Sequence, residues 1–154
     1  MVEELPKWMK TIKVSPTWIL PASRVREIVK RDFPNAELWL LDGKYWCTSL
    51  FLTRYILAHV DATDLKKYLW DRFDCDDFAL TLASLWRLRF GLNSVFFAVG
   101  STPFGAHAFN IVVASPDNYG VEWKAYLVEP QTDGLWTPAE NEKRFKYKPI
   151  FIMG

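Results

Sequence analysis

Residues 74–91 read Asp-Cys-Asp-Asp-Phe-Ala-Leu-Thr-Leu-Ala-Ser-Leu-Trp-Arg-Leu-Arg-Phe-Gly. Asp74 is a good N-cap, because its short carboxylate can accept the free amide protons of a first helical turn. Phe78, Ala79, Leu82, Leu85, Trp86 and Arg89 then recur at helical spacing, and Gly91 supplies the left-handed residue that stops a helix. The spacing predicts a helix that starts at Cys75. Beyond it the period changes. Residues 94–99, 107–114, 123–129 and 149–152 are strand-like and are separated by Gly, Pro, Asn and Asp clusters.

Working outward toward the amino terminus, Ser23 opens a predicted helix over 24–32, with Val25, Ile28 and Val29 on its apolar face. Pro34 ends it, since proline disfavours helix in the residue before it. Residues 37–41 read as a strand and Asp42-Gly43 as a turn. A short strand near 45–47, a helix over 49–58 and a third helix from Asp61 or Thr63 through Trp70 complete the pattern. Residues 1–22, with Pro6, Pro16 and Pro21, read as an irregular arm, and 23–154 as one domain. Helices first and strands afterwards imply an α+β fold, an antiparallel sheet packed on the helix that starts at Cys75.

The chain has 154 residues, half of them hydrophobic, which is enough to fold around a core without disulfide or metal staples. Lys and Arg number 19 against 18 Asp and Glu, so there is no basic stripe to displace counterions from phosphates, and nucleic acid is not expected as a partner. The most apolar stretch, 45–60, contains Arg54 and is shorter than the roughly 20 residues of a membrane-spanning helix. No membrane partner is expected. The acidic amino terminus lacks signal-peptide order, and two cysteines make no disulfide framework, so an intracellular protein is expected. The eight Trp, six Tyr and eleven Phe suit core and rim packing, although Trp clusters also form sugar-stacking platforms.

Three positions carry chemistry. Cys75 falls on the first turn of a well-capped helix, where free N–H groups and the helix dipole favour a thiolate. Asp74, Asp76 and Asp77 flank it, and their like charge opposes that thiolate unless an imidazolium or a divalent cation offsets it. Oxygen donors of this kind favour Ca²⁺, Mg²⁺ or Mn²⁺. His107 follows Gly105-Ala106 at the start of an apolar strand, a place from which a general base reaches a helix terminus. Strand alternation puts His107 and Phe109 on one face, Ala108 and Asn110 on the other. Glu129 closes the strand Tyr126-Leu127-Val128, where a carboxylate can orient an imidazole. The order Cys, His, Glu is that of papain-like and transglutaminase-like cysteine enzymes.

Asp-Cys-Asp-Asp-Phe-Ala at 74–79, His-Ala-Phe-Asn at 107–110 and Val-Glu-Pro-Gln-Thr-Asp at 128–133 together resemble the papain-like carboxy-terminal domain of fungal agglutinins. They are equally similar to a set of small lectin-like proteins of bacteria and phages. The Asp-Gly-Lys-Tyr turn at 42–45 and the closing 147–152 segment extend the resemblance over roughly 23–154. The resemblance implies a papain-like fold, a catalytic triad of Cys75, His107 and Glu129, and a peptide or protein substrate. It also implies activation by Ca²⁺ or Mn²⁺, with Asp76 and Gln131 at the metal site and Asp77 assisting. A phage-encoded member would be virion-associated or act in the host cell. Papain-like enzymes place a Gln upstream of the cysteine as oxyanion donor, and this chain has only Gln131, so that role falls to the Cys75 N–H and a group such as Trp70. A metal-stabilised binding module without turnover and a transglutaminase-like acyl transferase are the alternative functions.

Overall fold

A computed structural model describes residues 11–59, 69 and 74–154. The third helix expected through Trp70, and Trp70 as an oxyanion donor, lie outside the described residues. In chain order the elements are β1 (Thr17–Pro21), α1 (Ala22–Asp32), β2 (Glu37–Trp39), β3 (Lys44–Ser49), α2 (Leu50–His59), α3 (Cys75–Phe90), β4 (Val95–Thr102), β5 (Gly105–Ser115), β6 (Lys124–Glu129), β7 (Gly134–Trp136), α4 (Pro138–Glu140) and β8 (Lys148–Met153). A π-helical turn, Asn141–Phe145, joins α4 to β8. The class is α+β, as expected.

Eight strands form one curled sheet in the order β1-β3-β5-β4-β8-β2, and β6 and β7 branch from β5. β5 is its axis. It pairs antiparallel with β4 from Val95↔Val112 to Thr102↔Gly105 and antiparallel with β6 from Asn110↔Val128 to Ala114↔Lys124. Two pairings are parallel, β2 with β8 and β3 with β5, so the sheet is mixed rather than wholly antiparallel. Strands also precede and separate the helices. Residues 17–21 of the expected arm are an edge strand on β3, a place where Pro21 removes no needed donor from the ladder.

The two faces of the sheet carry separate cores. On one, Val25, Ile28 and Val29 of α1 pack against Phe96, Ala98, Phe109, Ile111, Val113, Leu127 and Trp136. On the other, Ile56 and Leu57 of α2 and Leu82, Ala83 and Trp86 of α3 pack against Val95, Val112, Ala114, Tyr126 and Val128. α1 begins at Ala22 with Pro21 as its cap residue, so Ser23 lies inside the first turn. α3 ends as the sequence requires, with Gly91 at φ 63° donating to the Arg87 carbonyl.

β4 bulges between Val99 and Gly100 against β8. Gly100 pairs with His107 on one side and Pro149 on the other. A Cβ there would run into the Lys148 carbonyl and the Pro149 Cα, so only glycine lets β8 lie this close. That close approach carries Tyr147 in beside the start of β5.

Candidate functional site

Cys75 is the first residue of α3 and is half-buried. Asp74 and Asp77 form a capping box, in which the Asp77 carboxylate accepts the Asp74 amide proton at 3.2 Å. Asp77 is therefore occupied by the cap. One ligand atom each from Asp74, Cys75 and Asp76 lie within 4.8 Å of one another, a group among the described residues close enough to share an ion. It includes Asp76 of the expected metal set. Two carboxylates and a sulfur fall short of the six to eight oxygens that Ca²⁺ takes, so a cation here would need further oxygen ligands.

At the start of β5, His107 Nε2 meets Glu129 Oε2 at 2.6 Å. The pair is largely sheltered, with side-chain exposures of 19% and 8%. With Nε2–H donating to the carboxylate, Nδ1 is the ring nitrogen left to take a proton. Glu129 Oε2 also accepts the Tyr147 hydroxyl at 3.1 Å, and Oε1 accepts the Gln131 amide proton at 3.2 Å. These donors fix the position of the carboxylate. Burial, then the neighbouring Glu129 charge, pushes the Tyr147 phenol up to about 12.

The His107 ring is walled by aromatics, with Tyr147 edge-on at 5.7 Å and Phe109 at 6.2 Å between centroids. Beneath them Trp136 stacks on Phe145 at 4.1 Å and meets Tyr147 edge-on at 5.4 Å.

The helix and the strand are locked together by Asn110, whose Nδ2 donates to the Ala79 carbonyl at 2.9 Å and to the Phe96 carbonyl at 3.1 Å. Farther along, Leu82, Ala83 and Trp86 pack with Val112 and Ala114, so α3 and β5 run in the same sense. The starts of both elements, Cys75 and His107, therefore lie at one end of the molecule. Among the described residues no hydrogen bond links the Cys75 thiol to His107. By alternation His107 belongs to the Phe109 face, whereas Asn110 turns to α3.

Thus the site residues read from sequence fall into a His107–Glu129 pair that is in contact and a Cys75–Asp76 group at the start of α3. Gln131 touches Glu129 through its backbone. Tyr147, Asn110 and Asn141 are polar residues that sequence reasoning passed over. A signal existed for one of them, since Asn110 is a polar residue inside the otherwise apolar run 108–114.

Among the described residues no helix is long and apolar enough to cross a membrane. No protein-family model matches the chain. The chain is similar to Protein LMBR1L of Xenopus laevis, 31% identical over 91 residues, which cover 58% of this chain and 18% of that protein. Among solved structures it is similar to the PSL1a–E64 complex, with a TM-score of 0.64 and 22% identity, over 88% of this chain and 51% of the other. It is similar also to Polyporus squamosus lectin bound to the human-type influenza-binding epitope Neu5Acα2-6Galβ1-4GlcNAc, with a TM-score of 0.64, 20% identity, and coverage of 88% and 49%. The chain spans about half the length of these solved chains and under a fifth of the curated relative. These likenesses establish a shared fold with a fungal lectin.

Proposed function

We propose that this chain is a papain-like cysteine hydrolase acting on an amide or peptide bond, with Cys75, His107 and Glu129 as its triad. The observation that carries the reading is the 2.6 Å contact of His107 Nε2 with a buried carboxylate, at the end of the fold where α3 begins. Cys75 Sγ attacks the substrate carbonyl carbon as its proton passes to His107 Nδ1. The same nitrogen returns a proton to the leaving amine, and Glu129 stabilises the imidazolium between the two steps. The Cys75 N–H, unpaired within a first helical turn, offers one donor to the oxyanion. In this reading the thiol–imidazole contact forms with substrate, as catalytic hydrogen bonds are often long in an unliganded enzyme. A divalent cation belongs to the proposal as well: Asp76 and Asp74 would hold it, and its charge would offset the carboxylates that oppose a thiolate.

A second reading is a binding module of the same fold without turnover. A specific observation favours it, namely that the solved neighbours are chains of a fungal lectin, one bound to a sialylated trisaccharide. The comparisons support this reading more directly than the first. One experiment separates them. Wild type and Cys75→Ala are incubated with denatured casein in Ca²⁺ or Mn²⁺, and both are tested for binding to Neu5Acα2-6Galβ1-4GlcNAc. Cleavage by wild type alone supports the hydrolase. Equal cleavage, or none with glycan bound by both proteins, supports the binding module.

A further inference from the structure

We infer that Tyr147 is the positioning residue of the His107–Glu129 pair, and that the segment from Trp136 to Tyr147 is built to hold its hydroxyl in place. The inference rests on the reading of His107 as a base but concerns a residue outside the triad.

Glu129 Oε2 is a shared acceptor. His107 Nε2 reaches it at 2.6 Å and Tyr147 Oη at 3.1 Å. Two donors on one oxygen fix the carboxylate's rotation, and the Tyr147 ring blocks one side of the imidazole at 5.7 Å. An imidazole so bounded keeps Nε2 on Glu129, and its Nδ1 keeps one direction.

Tyr147 is itself clamped by more than packing needs. Its amide proton goes to Asn141 Oδ1 at 2.9 Å, and its carbonyl accepts Asn141 Nδ2 at 2.7 Å. Asn141 is 6% exposed, and the Trp136 indole N–H donates to the same Oδ1 at 3.4 Å. The π-helical turn closes on this residue, with Lys146 in the left-handed region at φ 58° and its amide proton on the Asn141 carbonyl at 2.6 Å. A π turn and a left-handed lysine both cost backbone energy, and such costs are met most often at functional sites. Here they end on one hydroxyl, and that hydroxyl touches Glu129.

Positioning and mere packing differ in a measurable way. If Tyr147 only fills space, burial alone sets its ionisation, and Glu129→Gln leaves it unchanged. If its hydroxyl serves the carboxylate, removing that charge makes the phenol more acidic. The test follows the ring ¹³Cζ resonance of Tyr147, assigned by its loss in Tyr147→Phe, from pH 8 to 12 in wild type and Glu129→Gln. Methyl ¹H–¹³C spectra recorded at each pH mark the range in which both proteins remain folded, and midpoints are compared within it. A midpoint lower in Glu129→Gln by roughly half a pH unit or more is expected. Equal midpoints overturn the inference. Where Glu129→Gln does not fold, Glu129→Asp replaces it: its carboxylate keeps the charge but lies one methylene farther from the hydroxyl, so a smaller fall in the same direction is expected, and an unchanged midpoint overturns the inference. Iodoacetamide labelling of Cys75 in Tyr147→Phe then tests the triad separately, because the titration does not involve the thiol. A rate lower by roughly 5- to 30-fold, the worth of one hydrogen bond, ties the pair to Cys75. An unchanged rate counts against the hydrolase and leaves the titration result standing.

Discussion

Asn110 reaches from the middle of β5 to the Ala79 carbonyl of α3 at 2.9 Å, one helical turn beyond Cys75. The same amide nitrogen donates to Phe96 of β4 at 3.1 Å, so a single buried side chain ties the cysteine-bearing helix to the histidine-bearing strand. Among the described residues its Oδ1 is buried without a partner, which makes the residue costly to keep for stability alone.

Asn110→Ala therefore does two things. It removes both bonds and leaves a small cavity, for a destabilisation of roughly 2–4 kcal/mol in urea unfolding. It also frees the start of α3 to shift relative to β5, so Cys75 labelling by iodoacetamide slows even in the fraction that remains folded. An Asn110→Ala protein with wild-type stability would show that the tie carries no load.

Gly100 is the gap through which β8 approaches the site. Gly100→Ala forces a methyl group into the Lys148–Pro149 backbone, which cannot swing aside as a flexible side chain can. The expected cost is about 1–3 kcal/mol, and β8 moves off together with Tyr147. The accompanying sign is a more acidic Tyr147 phenol, since separation from Glu129 and greater access to water both favour the phenolate.

Alkaline pH should destabilise the protein. Burial pushes the Cys47 thiol up to about 12, and burial with the Glu129 charge does the same for Tyr147. Burial also raises the phenols of Tyr45 and Tyr126. A group whose folded pKa lies above its unfolded value contributes its full stability below the unfolded pKa and loses it as pH rises through the folded one. The thiol starts from 9.0 and the phenols from 10.0, so unfolding free energy should fall steadily between about pH 9 and 12. Chemical denaturation at pH 7, 9 and 11 checks this, and a flat profile would contradict it.

The cation is tested by its effect on one thiol and not the other. With Ca²⁺ or Mn²⁺ present, Cys75 should label faster than in chelator, because a charge beside Asp76 offsets the carboxylates around the sulfur. Cys47, fully buried in the α1-side core, should ignore the ion. Equal Cys75 rates with metal and with chelator remove the cation from the account.

Much of this architecture is legible in the chain because its signals are local. Asp74 and Gly91 mark the two ends of α3 by residue type, and Val25, Ile28 and Val29 mark the buried face of α1 by spacing. The His107–Glu129 pair is consistent with chain order, since antiparallel pairing of β5 with β6 brings the start of one strand beside the end of the next. What escaped depends on long-range or irregular structure. β1 lies among prolines and gains its pairing only from β3, seen in Trp18 opposite Cys47. The parallel pairing of Thr48 with Ala114 has no local period to announce it. Gly134–Trp136 is too short to show alternation, and Thr137-Pro138-Ala139-Glu140 is a capping-box pattern that signals one turn without revealing the π turn after it. Tyr147 therefore arrives at Glu129 by a route that no spacing in the sequence encodes.

The most direct test of the central claim is the labelling rate of Cys75 against pH in wild type and His107→Ala, with divalent cation present, read by mass spectrometry. Cys47 serves as the internal control. The account expects Cys75 to label well below pH 8, Cys47 to stay unlabelled while the fold persists, and His107→Ala to lose the low-pH reactivity. A Cys75 that labels only above pH 8, at the same rate with and without His107, would contradict the triad and leave the fold as a binding module.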